Sequence, residues 1–356
     1  MANANYYNNS FDFIRLAAAF GVLISHSYPL AGLSEITYAK NISVGTLCVY
    51  IFFSISGYLI QQSWDRSKSV IAFIINRILR IYPGLFICLL LSTILLFFIS
   101  NYSFLEYFRN IKTYQYVLTN LIPILMPWQD SLPGVFESTI FPIAVNGSLW
   151  SIRYEIVMYF VLLSLILITK NRLSFLIILI LLTLFTWSYA FVIGLKDPGQ
   201  VIWRVQFFNL DSTFLFRLAP FFLVGAALAK LPIIIFQKYI FLLILITLVI
   251  FNNSDLNMPI LWIGLPYCII FLAIHLPNFF KNWAKHGDFS FGIYLYAFPI
   301  QQVVSNSSYF KDSHNLLILT SSFIVFLFAY LSWHLVEAPS LKMKRPLIKY
   351  FRDLYV

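Results

Sequence analysis

FDFIRLAAAFGVLISHSYPL, Phe11–Leu30, reads as one membrane-length helix with Arg15 and His26 set into it. Eleven residues at roughly 100° each return to nearly the same helix face, about 16 Å further along the axis. An arginine and a histidine therefore share one stripe of a span. Ionisable groups at membrane depth are costly, so this stripe is read first as a functional site, with a partnered structural ion as the alternative.

Working outward, the whole chain has the same character: 60% hydrophobic, 11% charged, mean hydropathy +0.81. Apolar stretches of about 18 residues match the bilayer's hydrocarbon core. They centre near 12–30, 44–62, 80–100, 147–169, 173–194, 213–230, 233–251, 257–275, 289–306 and 315–336. The expected fold is all-α, a polytopic transmembrane bundle of about ten spans forming a single domain over residues 1–356, with no internal repeat and no linker. Most of the 24 Lys and Arg residues fall in one set of alternate loops and in the C-terminal tail, which predicts that both termini are cytoplasmic. The net charge of +10 follows from that bias and excludes reading it as a nucleic-acid footprint. Met1–Ser10 is Asn-rich, lacks the basic start of a secretory signal, and should stay attached. Cys48, Cys88 and Cys268 fall in apolar segments without metal spacing and read as buried hydrophobes; His275, His286, His314 and His334 likewise show no metal spacing. The connection 101–146, placed outside by the topology, is the only long loop and reads equally as a functional lid or a packed cap.

Two further constellations carry chemistry. Asn76-Arg77-Ile78-Leu79-Arg80-Ile81-Tyr82-Pro83-Gly84 opens the third span and, if helical, puts Arg77 and Arg80 on one face. Such guanidinium forks hold either the phosphates of a cofactor or lipid headgroups. The fourth span starts at Asn146-Gly147-Ser148-Leu149-Trp150-Ser151-Ile152-Arg153-Tyr154-Glu155, and Ser148, Ser151, Glu155 and Tyr159 share a face by three- and four-residue steps. Arg153 points elsewhere. A carboxylate at the depth of Glu155 must pair or protonate, and either state suits acid/base or orienting chemistry.

These pieces together resemble the acyltransferase 3 family of bacterial membrane acyltransferases over nearly the full length. The matching features are Arg15 to His26, Phe52-Phe53-Ser54-Ile55-Ser56-Gly57-Tyr58, Arg77-x-x-Arg80, Gly147-Ser148-Leu149-Trp150-Ser151 with Glu155 and Tyr159, Phe216-Arg217 with Phe222-Leu223-Val224-Gly225, Phe289-Ser290-Phe291-Gly292-Ile293-Tyr294-Leu295-Tyr296, and Glu337-Ala338-Pro339. The ninth span departs from the pattern, having Tyr294-Leu295-Tyr296 where many members read Tyr-Leu-x-His, so no role for a second intramembrane histidine carries over.

The resemblance implies a multi-pass enzyme of the bacterial cytoplasmic (inner) membrane. It would move an acetyl group from cytoplasmic acetyl-CoA to a hydroxyl of an extracytoplasmic or lipid-linked glycan such as O-antigen, capsule or exopolysaccharide. His26 would be the general base, Glu155 would set its orientation or protonation, and Arg15 would stabilise the thioester end of the donor or hold the bundle. Arg77, Arg80, Tyr82 and Arg217 fall on the donor side, with CoA contact and a structural ion pair both open for Arg217. Ser148, Trp150, Arg153, Tyr159 and Tyr294 would shape the pocket. No permanently bound cofactor, metal or nucleic-acid partner is implied. The rivals are a succinyl or longer-chain transferase on the same scaffold, and a glycan transporter, whose paired broken helices are not found here. Acceptor sugar, acyl group, direct or acyl-enzyme transfer, and oligomeric state are not fixed by the sequence.

Overall fold

The computed structural model describes residues 9–39, 42–124, 126–169, 171–194, 204–205, 210–254, 256–281, 283–310 and 313–354; the Asn-rich start up to residue 8 lies outside them. The chain opens with α1 (Phe11–Leu30), an antiparallel pair β1 (Thr37–Ala39) and β2 (Ile42–Ser43), α2 (Val44–Ser67) and α3 (Val70–Leu95). Short helices α4 (Phe104–Arg109) and α5 (Ile111–Leu121) precede α6 (Trp150–Ile168) and α7 (Arg172–Gly194). A second pair, β3 (Arg204–Val205) and β4 (Leu210–Asp211), leads to α8 (Ser212–Lys230), α9 (Lys238–Ile250) and α10 (Asn257–His275). The last part comprises α11 (Asn278–Lys281), α12 (Ser290–Ser305), α13 (His314–Ser332), a π-helical turn at Trp333–Glu337, α14 (Ala338–Lys342) and α15 (Lys344–Leu354).

Among the described residues, eight helical segments are long and apolar enough to cross a bilayer, which makes the chain a polytopic helical membrane bundle. Ten apolar helices sit at the expected places, but two are shorter than expected. α12 has 16 residues, and nearly all its side chains are buried by neighbouring helices, so protein rather than lipid covers it. α9 has 13 residues, about 20 Å of helix, and buries only Leu248. The third span also begins earlier than its apolar run suggests. Ser69 caps α3 by accepting from the Ala72 amide, starting the helix at Val70 and leaving Arg77 and Arg80 well inside it.

The connection 101–146 is a packed cap. Its helices bury Tyr107 and Tyr116 completely, and the Tyr107 hydroxyl donates to the Thr93 carbonyl at 2.9 Å. A reciprocal capping box joins Ser103 and Glu106. The cap then dives inward: Val145, Asn146, Ser148 and Leu149 are buried, and α6 starts inside the bundle rather than at its outer surface. Irregular backbone at that depth is tolerated because protein surrounds it; Asn146 Nδ2 donates to the Leu295 carbonyl at 2.8 Å.

The tightest packing joins α2 to α8, where Gly57 faces the Phe222 carbonyl and Gly225 faces the Ser54 carbonyl. Small residues at such crossings let helix backbones meet. At the inner end of the same pair Lys230 ion-pairs with Asp65, and Arg172 donates to the Lys230 carbonyl. α1 packs against α2, α12 and α13, and α3 receives α14 and α15.

Candidate functional site

Arg15, one turn into α1, meets the turn preceding α12: its guanidinium lies 3.6 Å from Asp288. Arg80 of α3 reaches the same carboxylate at 2.5 Å and Glu337, in the π-helical turn, at 3.7 Å. Asp288 also accepts from Ser290, and Glu337 from Ser332. Burial acts to raise Asp288, but the guanidinium groups of Arg80 and Arg15 outweigh it and hold the carboxyl below its ordinary value. Arg77 does not join this knot, although it is only three residues from Arg80. Its guanidinium lies 5.7 Å from the centroid of the Tyr159 ring, a cation–π arrangement. The face expected to present two arginines to one ligand is thus divided between two sets of partners.

Tyr159 begins a polar stripe that climbs α6. Its hydroxyl donates to Glu155 at 2.5 Å, and Ser56 of α2 donates to the same oxygen at 2.6 Å. One and two turns further out, Ser151 lies 2.6 Å from the Tyr294 hydroxyl, which in turn donates to the Ser148 carbonyl at 2.8 Å. The expected α6 face is therefore real and recruits Tyr294 from α12, although Ser148 sits on the turn ahead of the helix. Ser148 Oγ is buried without a hydrogen-bond partner, and α6 has no side-chain N-cap.

His26 lies at the outer end of this stripe. Its ring meets the edge of Phe298 at 5.3 Å between centroids, Phe298 in turn covers Gly147, and Nδ1 is buried without a hydrogen-bond partner. Next to it, Ser25 Oγ accepts from the Gly45 amide at 2.9 Å, which fixes the start of α2 beside the His26 turn. Ser56 is eleven residues further along α2, about 16 Å inward. Glu155, bonded to Ser56, consequently lies at the level of Arg15. α6 starts deep in the bundle, so each of its residues, Glu155 included, sits lower than a surface start implies.

A cleft of about 930 Å³ runs between α3 and α6. Arg77, Tyr82 and Tyr159 are set in its mainly apolar lining; His26 is not part of it. Arg153 is buried, with its guanidinium 5.5 Å from the centroid of the Trp128 ring in the cap, and Trp150 packs on Phe214 of α8. Arg217 lies beside Tyr50 in the outer half of the bundle, about 20 Å along α8 from Lys230, and is not gathered with Arg77 and Arg80. Cys48, Cys88 and Cys268 are free and buried, as expected. His314 Nε2 lies 2.8 Å from Ser27 Oγ at the outer end of α1. The reading from sequence had no role for Asp288, whose only signal is its place just before an apolar run, nor for Ser56, which stands within a quoted motif.

The acyltransferase 3 family, described as an acyltransferase domain, matches residues 8–335. The chain is similar to a protein named O-acetyl transferase from Shigella phage Sf6, 30% identical over 342 residues that cover 95% of this chain and 98% of the relative. It is also similar to Nodulation protein 10 of Rhizobium leguminosarum bv. viciae, 24% identical over 363 residues that cover 96% and 95% of the two chains. No solved structure matches. With its motifs in order along one helical bundle and the match running through nearly all of it, this chain belongs to the acyltransferase 3 family of membrane acyltransferases.

Proposed function

We propose that this membrane O-acyltransferase moves an acetyl group from acetyl-CoA, entering on the cytoplasmic side of a bacterial inner membrane, to a hydroxyl of an extracytoplasmic or lipid-linked glycan such as O-antigen, capsule or exopolysaccharide. The observation that carries this reading is a half-buried imidazole whose buried Nδ1 has no partner, about 16 Å outward of Arg15 on the same helix and of the guanidinium cluster that Arg15 joins. An extended pantetheine arm suits that separation, with the nucleotide held inside and the thioester delivered outward. The name of the phage relative supports acetyl as the acyl group.

In the reaction His26 takes the proton of the acceptor hydroxyl, the oxygen attacks the acyl carbonyl, the carbon–sulfur bond breaks, and CoA leaves as a thiolate that is then protonated. Ser148 Oγ and the uncapped first turn of α6 supply donors for the developing oxyanion. Arg77 and Tyr82 guide the donor arm from the cleft, with the Tyr159 ring, itself tied to Glu155 through its hydroxyl, holding Arg77 in place. Arg15 and Arg80 brace the inner end through Asp288. Trp150, Arg153 and Tyr294 shape the walls. The start of α1 and the tail helix α15, at the guanidinium end of the bundle, are assigned to the cytoplasm.

The test uses purified protein in nanodiscs with radiolabelled acetyl-CoA and a lipid-linked glycan. Acetyl transfer is expected, falling about 10²- to 10⁴-fold in His26→Ala. Glycan flux without thioester loss would instead make the protein a transporter and overturn the reading.

A further inference from the structure

The tail helix α15, KRPLIKYFRDL at Lys344–Leu354, lies beyond the family match, which ends at residue 335. It packs against α3 and places Lys344 half-buried at the inner end of the bundle. The register follows from Glu337, which backs onto Gly84 of α3 and ion-pairs with Arg80. Seven residues on, past the turn at Met343 that separates α14 from α15, Lys344 lies about 10 Å further inward. α3 runs the opposite way, so that level corresponds to its Phe73–Arg77 segment, the inner edge of the cleft. The charged groups acting on Lys344 are Arg77 and Arg80, both cations. Among the described residues neither Lys344 nor Arg77 has a carboxylate within ion-pair distance, whereas Arg80 has two. Two like charges held half-buried near each other repel unless an anion lies between them.

On the donor reading given above, we propose that Lys344 and Arg77 form the phosphate clamp for the nucleotide end of the acyl donor, where the tail helix packs on α3 at the inner side of the cleft. Arg80, already shared between Asp288 and Glu337, is then a brace and not the phosphate ligand.

The test compares two donors in nanodiscs of neutral lipid: acetyl-CoA, and S-acetyl-pantetheine, which carries the same thioester without the phosphates. Lys344→Gln is expected to raise KM for acetyl-CoA about tenfold with kcat preserved, a change of about 1.4 kcal/mol. Its kcat/KM for S-acetyl-pantetheine should match the parent protein. Lys344→Arg should restore KM for acetyl-CoA, and Lys344→Glu should raise it further. Equal losses on both donors would show a merely structural helix and overturn the clamp, as would parental KM values in Lys344→Gln. An effect seen only when anionic lipid is added would assign Lys344 to lipid phosphates and also overturn it. Absence of thioester turnover in the parent protein itself would bring down the donor reading together with the clamp.

Discussion

Placing a single methyl group at Gly57 strikes at the contact on which the site's scaffold depends. A Cβ there would stand 2.0 Å from the Phe222 carbonyl oxygen, and one at Gly225 would stand 2.2 Å from the Ser54 carbonyl oxygen. Cβ contacts under 3.0 Å do not occur, so Gly57→Ala forces α2 and α8 apart by at least 1.0 Å. The opposing atoms are backbone and cannot rotate away. Overpacking of this kind costs about 1–3 kcal/mol, and the rigid partner places this case near 3 kcal/mol. At roughly 2–4 °C per kcal/mol, the apparent Tm should fall by about 6–12 °C. Function should suffer as well, because Ser56, adjacent to Gly57, anchors Glu155. Gly225→Ala acts on the same crossing from the other side, so the double variant should lose less than the sum of the two. Gly21→Ala is the control: its Cβ would press at 2.4 Å on the Cys48 Sγ, the end of a side chain able to move. Thermal unfolding followed by size-exclusion chromatography measures all four. Gly57→Ala melting with the parent protein or with Gly21→Ala, or fully additive losses in the double variant, would refute the packing argument.

The Asp288 carboxylate, shared by Arg80 and Arg15, makes a second prediction. Asp288→Asn leaves two guanidinium groups without their common partner and should cost about 3–5 kcal/mol, read as a lowered Tm. Because the folded carboxyl titrates below its ordinary value, its stabilisation is complete above about pH 4 and is lost as pH falls through the depressed folded value. The variant's Tm should therefore lack that acid-limb decline. Ser148→Ala separates chemistry from folding: its hydroxyl has no hydrogen-bond partner, so Tm should hold, while kcat for acetyl transfer should drop about 10²-fold if the hydroxyl serves the oxyanion. Unchanged kcat would remove Ser148 from the site.

Helix periodicity and composition are local properties, and they made much of this protein legible in one dimension. The apolar runs fixed an all-α membrane bundle, and the Arg15-to-His26 interval fixed a shared face and a separation that hold however the other helices pack. The α6 stripe from Ser148 to Tyr159 was visible for the same reason. What lay opposite each of these groups was set by contacts distant in sequence. Asp288, which the sequence did not single out, is the partner of Arg15, and Arg77 and Arg80, three residues apart, serve different neighbours. The depth of Glu155 depended on a cap that folds into the bundle before α6 begins, and the seat of Lys344 on a tail helix that packs against α3. A sequence period gives the direction of a side chain about its own axis; the height and identity of what meets it come only from how the helices are stacked.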